Sequence, residues 1–337
     1  MISKKDTIAF IGMGKFGTAV AYALDKTNRY KIKFYTRDRQ TAEVFNTTKS
    51  NPRCLSEYFF SNASASDDII STVQNVSIVF ITVASRDIEN VARQLCGILP
   101  KKAKIILCSK GVSENSPYFY SEIFQNIIGR RYQIYVFSGP NFADEIIAGD
   151  LSITTLAGKS LLKTKLLSLL FRGTNIKMES TNDIRGVQIF GAMKNIMAIS
   201  VGILEGMGFG KNRTIRAIMH FVKEIQKLNK AYKAKRNTAY LSAGIGDIML
   251  TCFDNKSRNK KFGLAIGMGE SVEKLVAEDL IEGYYAIKAI RNMSHSLSRF
   301  DKKSLAYINA LYDILYNNKD PRQTLTKVED YHGKRVD

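Results

Sequence analysis

Chemistry in this chain is concentrated in a few short groups of residues. A run of buried-strand type, Thr7-Ile-Ala-Phe-Ile, leads into Gly12-Met-Gly14-Lys-Phe-Gly17 and then a helical pattern. In such a turn Gly12 makes the tight bend, Gly14 lets bare backbone approach a pyrophosphate, and Gly17 packs the helix closely, with the anion at the helix N-terminus. A purely structural turn is the alternative, and the strand and helix on either side favour a dinucleotide. The second strand, Lys31–Tyr35, is followed by Thr36-Arg37-Asp38. Arg37 can pair with a 2′-phosphate or stack on adenine, while Asp38 can reach a ribose hydroxyl, so NADP is allowed beside NAD; a solvated loop arginine is the other reading. Residues 187–204 are apolar nearly all round, with Lys194 as their one ionisable group. A buried ammonium costs several kcal/mol unless it is paired or loses its proton. Lys194 therefore either snorkels to the surface or sits in a polar site, where it can give and take a proton near neutral pH. Asp247 is the lone charge between Arg236 and Asp254. It is either a helix cap or the partner of a buried lysine, and Thr251, one turn on, shares its face. Finally, the run from Asn255 to Gly263 gathers Ser257, Arg258, Asn259, Lys260 and Lys261. Such a loop suits phosphate, and a solvated basic turn fits it too.

These residues need elements to hold them. The first half alternates β-branched runs with helical patterns, at 7–11, 15–25, 31–35, 76–83, 88–99, 104–109, 134–138, 152–157 and 175–179, which predicts βαβ units and a mostly parallel sheet. From Ile184 the periodicity is helical, notably at 187–204, 213–235 and 304–316. The expectation is an α/β Rossmann-type domain over residues 1–185, an all-α domain over 186–330, and a loose tail at 331–337. Arg213, Arg216, His220, Lys223, Lys227 and Lys230 recur at steps of three and four along one helix face. That stripe is a solvated face or a track for a nucleic-acid backbone, and no aromatic stacking platform accompanies it.

At roughly 150 residues per domain, 337 residues predict two domains. With 45% hydrophobic and 24% charged residues, disordered, collagen-like and disulfide-framework chains are excluded. A net charge of +19 fits an anionic ligand or nucleic acid without choosing between them. The four cysteines are far apart and there are three histidines, so no metal-site spacing exists and reduced cytoplasmic thiols are expected. Lys15 and the phasing glycines interrupt the apolar N-terminal run, which reads as structure and not as a secretory leader. No stretch reaches the roughly 18 apolar residues of a membrane span; the closest, Val76 to Ala84, has the length of a buried strand. The expected location is therefore the cytoplasm, with no membrane span and no nucleic-acid partner.

Seven ordered blocks carry a resemblance to the bacterial NAD(P)-dependent glycerol-3-phosphate dehydrogenases: 12–19 (Gly-Met-Gly-Lys-Phe-Gly-Thr-Ala), 109–111 (Ser-Lys-Gly), 138–145 (Ser-Gly-Pro-Asn-Phe-Ala-Asp-Glu), 191–195 (Gly-Ala-Met-Lys-Asn), 244–252 (Gly-Ile-Gly-Asp-Ile-Met-Leu-Thr-Cys), 257–263 (Ser-Arg-Asn-Lys-Lys-Phe-Gly) and 282–284 (Glu-Gly-Tyr). The resemblance implies a dinucleotide-binding domain and a helical substrate domain, usually in a homodimer. It implies interconversion of dihydroxyacetone phosphate and sn-glycerol 3-phosphate with NADP or NAD, feeding phospholipid synthesis, and no metal. Carried over by position, it makes Lys194 the catalytic acid/base, held by Asp247, with Lys110 beside both substrate and cofactor. It implies substrate contacts from Lys110, Gly139, Asn141, Lys194, Asn195, Asp247, Thr251, Ser257, Arg258 and Asn259. For the cofactor it implies Gly12, Gly14, Lys15, Phe16, Gly17, Arg37, Lys110, Ala143, Arg258, Leu280 and Glu282. The chain departs from the family's pattern in three places: Asn141 stands for the usual Ser or Thr, His220-Phe221 for Arg-Gly, and Lys303-Ser304-Leu305 for Leu-Pro-Ile. Dehydrogenases of the β-hydroxyacid and 6-phosphogluconate type share the two-domain plan and a central-helix lysine, but the 257–259 loop and the Gly-Asp247 block argue against them. A non-catalytic nucleotide- or nucleic-acid-binding Rossmann protein is the rival of another class.

Overall fold

Short runs that are β-branched or aromatic at nearly every position, such as Ile78–Ile81, suit strands covered on both faces, and a parallel sheet is built from them. The computed structural model describes residues 6–113, 118–297 and 301–333. The chain clusters into two units, one running to Lys110 and resuming at Tyr120–Val187, the other taking Gly111–Phe119 and everything from Gln188. The first contains β1 Thr7–Ile11, α1 Lys15–Asp25, β2 Lys31–Tyr35, α2 Arg39–Thr48, β3 Ala63–Ser66, α3 Ile69–Val73, β4 Ile78–Ile81, α4 Ile88–Leu95, β5 Lys104–Leu107, α5 Tyr120–Ile128, β6 Gln133–Ser138, α6 Ala143–Ala148, β7 Ser152–Gly158, α7 Leu161–Ser168 and β8 Ile176–Thr181. The strands lie in the order β3-β2-β1-β4-β5-β6-β7-β8. All neighbours are parallel except β6 and β7. This is the doubly wound Rossmann plan. The strand order reverses at β1 and β4, which opens a crevice at their carboxyl ends. Phe10 on β1 is in register with Phe34 on β2 and Phe80 on β4, and stacks on Phe80 at 4.6 Å, so the central strands are locked by aromatic side chains.

The second unit is helical: α8 Ile184–Gly206, α9 Lys211–Ala231, α10 Asp247–Phe253, α11 Arg258–Gly267, α12 Val272–Glu278, α13 Glu282–Ser296, α14 Ala306–Asn317 and α15 Pro321–Gly333. Most of α8 is at its centre. Among the described residues α8 is the one helix long and apolar enough to cross a membrane, and its apolar window is entirely buried in the protein. A search for unbroken apolar runs passes over it, because Gln188, Lys194 and Asn195 interrupt the pattern. Gly202 and Gly206 of α8 face Gly263 and Gly267 of α11 so closely that a Cβ on Gly263 would collide with the carbonyl of Ile199. The two backbones touch, which fixes the start of α11 against α8.

The structure corrects the sequence reading at three points. Residues 111–119 group with the helical unit, because Phe119 is buried edge-on against Tyr232 at 5.3 Å. The stretch 88–99 stops being helix at Leu95, ahead of Gly97 at a φ of 86°. The expected loose tail is in part helix, since α15 extends to Gly333; residues 334–337 lie outside the described residues.

Candidate active site

In the first unit the glycine turn is held from two sides. Thr82 Oγ1, just past β4, donates to the Gly12 carbonyl at 2.8 Å, and the buried Asn51 amide donates to the Met13 carbonyl at 3.0 Å. Gly12 has a φ of 106°, a conformation L side chains rarely adopt. A Cβ on Gly17 would strike Thr82, whereas one on Gly14 would meet nothing within 4 Å. Gly14 starts α1 with no side-chain cap, so open space and uncapped N–H groups coincide where an anion would sit. The cleft there, of about 560 Å³, is lined by Gly12, Gly14, Lys15, Arg37, Arg53 and Arg86, among others. This donor set fits a dinucleotide. Asp38 lines the same cleft and caps α2, accepting from Gln40 N at 3.1 Å and Thr41 Oγ1 at 2.5 Å. The Thr41 hydroxyl holds its carboxyl below the usual range. Phe16 packs near Phe137 at 6.1 Å between ring centres, and Lys15 forms an ion pair at 2.7 Å with Asp144, the residue after Ala143 at the start of α6.

Lys110 Nζ donates to the Gly139 carbonyl at 2.9 Å. Asn141 Oδ1 accepts from Thr154 Oγ1 at 2.9 Å, leaving its buried Nδ2 without a partner. A buried donor with no acceptor costs about 1–3 kcal/mol.

In the second unit Lys194 projects from α8 to Asp247 Oδ1 at 2.6 Å, with side chains 11% and 1% exposed. Lys194 is thus held in a polar site and does not snorkel. Asp247 opens α10 after a turn in which Gly244 takes φ −90°, ψ −117° and leaves no room for a Cβ against the Thr238 and Ala239 carbonyls. Thr251 Oγ1 donates back to the Asp247 carbonyl at 2.7 Å, so its proton is used inside α10 and its oxygen is left only as an acceptor. Asn195 Nδ2 donates to Glu282 Oε2 at 3.0 Å, and Asn259 Oδ1 accepts from Gly283 N at 2.8 Å. These two bonds tie α8 and α11 to the start of α13. Ser257 caps α11, accepting from Lys260 N at 3.3 Å. Arg258 lies half exposed beside Asp279 at 3.2 Å, and Leu280 N donates to the same carboxylate at 2.7 Å.

The positions singled out in the sequence fall into several local groups: the glycine turn with Lys15 and Arg37, Lys110 with Gly139, Lys194 with Asp247, Asn195 with Glu282, and Arg258 with Asp279 and Leu280. Sequence reasoning missed Arg53 and Arg86, which carry no spacing signal, and Asn51, which pins the glycine turn. It also missed the ion pair of buried Lys260 with Glu205 at 3.2 Å. Burial works against the charge on Glu205, but Lys211 and Lys260 hold its carboxyl below the usual range.

Comparison with known proteins gives this geometry a family. Residues 7–162 match the N-terminal domain and residues 183–326 the C-terminal domain of NAD-dependent glycerol-3-phosphate dehydrogenase. The chain is 30% identical over 319 residues to the NAD(P)+ glycerol-3-phosphate dehydrogenase of Clostridium botulinum, covering 94% of each. It is 30% identical over 325 residues to that of Actinobacillus pleuropneumoniae, covering 95% of each. The crystal structure of glycerol-3-phosphate dehydrogenase from Coxiella burnetii superposes with a TM-score of 0.86 at 27% identity, covering 96% of this chain and 99% of that one. A ketopantoate reductase from Ralstonia eutropha reaches a TM-score of 0.59 at 14% identity, a likeness of fold alone. With both domains matched in order over most of its length, the chain belongs to the NAD-dependent glycerol-3-phosphate dehydrogenase family.

Proposed function

We propose that this protein interconverts dihydroxyacetone phosphate and sn-glycerol 3-phosphate, and the buried pair Lys194–Asp247 in an otherwise apolar helix carries the reading. A nicotinamide dinucleotide, when bound, supplies the hydride chemistry. The protein's part is to bind the ketone, orient it and move one proton. Lys194 delivers that proton to the C2 oxygen as it gains charge, and Asp247 keeps the ammonium in place. A cation aimed at a growing oxyanion acts more strongly in the transition state than in the ground state. Lys110 adds a second positive charge to the substrate, and Gly139, Asn141, Asn195 and Thr251 orient its oxygens. The phosphate lies at the start of α11 with Ser257, Arg258 and Asn259, where side-chain donors and a helix N-terminus favour an anion. On the cofactor side, Gly12, Gly14, Lys15, Phe16, Gly17, Arg37 and Ala143 are assigned to the dinucleotide, together with Lys110, Arg258, Leu280 and Glu282. Arg37, Arg53 and Arg86 around the cleft support NADPH beside NADH, because a 2′-phosphate would meet cations there, with the capping Asp38 carboxylate on the same cleft as the opposing charge. A homodimer working in the cytoplasm to supply phospholipid synthesis completes the reading; sedimentation velocity tests the dimer.

The deciding measurement is NADPH and NADH oxidation, followed by absorbance, against a panel of small phosphorylated and unphosphorylated ketones. Activity is expected with dihydroxyacetone phosphate, and Arg258→Ala should raise its KM about tenfold or more while narrowing the preference over unphosphorylated dihydroxyacetone. Turnover confined to 6-phosphogluconate or unphosphorylated hydroxy acids overturns the proposal.

A further inference from the structure

The basic stripe of α9 is not used by the reaction. Lys223, Lys227 and Lys230 follow one another at one-turn spacing, which stacks their ammonium groups along one face. Past the end of α9, the 3-10 turn Arg236–Tyr240 brings two more side chains beside them. These five residues and Asn229 line a cleft of about 610 Å³, which shares no residue with the Lys194 cluster or with the dinucleotide cleft.

Charge, an unmet polar group and an aromatic wall meet here. Among the described residues no carboxylate pairs with Lys223, Lys230 or Arg236, and Lys227 gives one of its three donors to the Ser304 carbonyl at 3.0 Å. Asn229 is 1% exposed, yet neither its Nδ2 nor its Oδ1 has a hydrogen-bond partner. An amide buried with both ends unmet is expensive, and an occupant offering an acceptor and a hydroxyl would satisfy it. Tyr240 is 76% exposed at the cleft, presenting a ring to whatever lies against the cations. Four cations exceed what a single phosphoryl group neutralises. One aromatic in a concave cleft is also unlike the succession of stacking platforms that tracks a nucleic-acid strand. We propose that this cleft binds a small organic diphosphate, its phosphoryl oxygens on Lys223, Lys227, Lys230 and Arg236, a polar atom on Asn229, and its body against Tyr240.

A nucleotide and an isoprenoid diphosphate share this chemistry, so the test uses both. The full chain, saturated with NADPH to fill the dinucleotide cleft, is titrated calorimetrically with ADP, geranyl diphosphate and inorganic pyrophosphate. At least one organic diphosphate should bind, and whichever binds tighter identifies the source. Lys223→Ala/Lys230→Ala and Asn229→Leu should each weaken it about tenfold or more, with circular dichroism and the Kd for NADPH unchanged. Tyr240→Ala should weaken the organic ligands but not pyrophosphate. The proposal is overturned if neither organic diphosphate binds, if the folded variants bind as the wild type does, if pyrophosphate binds as tightly as both organic ligands, or if a 12-nucleotide RNA outcompetes them.

Discussion

At the scale of single residues, the decisive fact is that Lys194 and Asp247 are both buried and 2.6 Å apart. Removing the lysine takes away the proton donor and leaves a carboxylate buried without its counter-charge. Lys194→Ala should therefore lower kcat by about 10²–10⁴ and also lower Tm, while the Kd for NADPH stays close to wild type. Stopped-flow turnover with fluorescence titration of the cofactor checks this, and wild-type kcat would remove Lys194 from the reaction. Cofactor choice also turns on one residue. Arg37 and Asp38 both line the dinucleotide cleft, Asp38 as the cap of α2, and under the proposed function Arg37 meets a 2′-phosphate. A hydrogen bond to a charged group is worth about 1.5–3 kcal/mol, so Arg37→Ala should shift the ratio of kcat/KM for NADPH over NADH toward NADH by about tenfold or more. Equal losses for both cofactors would mean that Arg37 stacks on adenine, and no loss for either would return it to solvent.

At the scale of elements, the position of the 257–259 loop depends on a contact between two backbones. Alanine is a better helix former than glycine by about 1 kcal/mol, so at an ordinary helix position Gly263→Ala would stabilise. Here its Cβ would collide with the Ile199 carbonyl of α8, and overpacking of that kind costs about 1–3 kcal/mol or more. The variant should unfold at lower denaturant and raise KM for dihydroxyacetone phosphate several-fold, since α11 carries Arg258 and Asn259. A denaturation midpoint above wild type would show that the two helices separate without penalty. The same scale explains two departures from the family pattern. His220 stacks on Tyr307 at 5.9 Å and Phe221 packs against the same ring at 5.2 Å, so this pair is part of the α9–α14 contact. With Lys303-Ser304-Leu305 in place of Leu-Pro-Ile, α14 starts at Ala306 and its first turn is held from α9, where buried Glu224 accepts from Tyr307 N at 2.8 Å and Ile308 N at 3.3 Å.

At the scale of the whole molecule, Glu224 links folding to pH. Burial pushes its carboxyl up to about 7 against the pull of the two N–H donors, above the 4.5 of an ordinary glutamate. Between those values the folded protein keeps a proton that the unfolded chain has lost. Its contribution is complete below about 4.5 and is lost as pH rises through about 7, a change on the order of 3 kcal/mol. Denaturant unfolding at steps from pH 5 to pH 8 should show a difference between wild type and Glu224→Gln that varies with pH across that window. Parallel curves would mean that Glu224 titrates alike in both states. Much of this molecule could be read from the sequence, because periodicity and glycine spacing are local properties. The strands at 7–11 and 31–35, the turn at Gly12–Gly17 and the helix around Lys194 all announce themselves within a few residues. Edge strand β3, Ala-Ser-Ala-Ser, gave no signal, since small residues at a sheet edge need no apolar run. What only the tertiary structure decided were relations across long separations in the chain. The pairing of Lys194 with Asp247 across 53 positions, and the meeting of α8 and α11 at four glycines, depend on which surfaces pack, and packing is set by the whole chain at once and not by any local stretch of it.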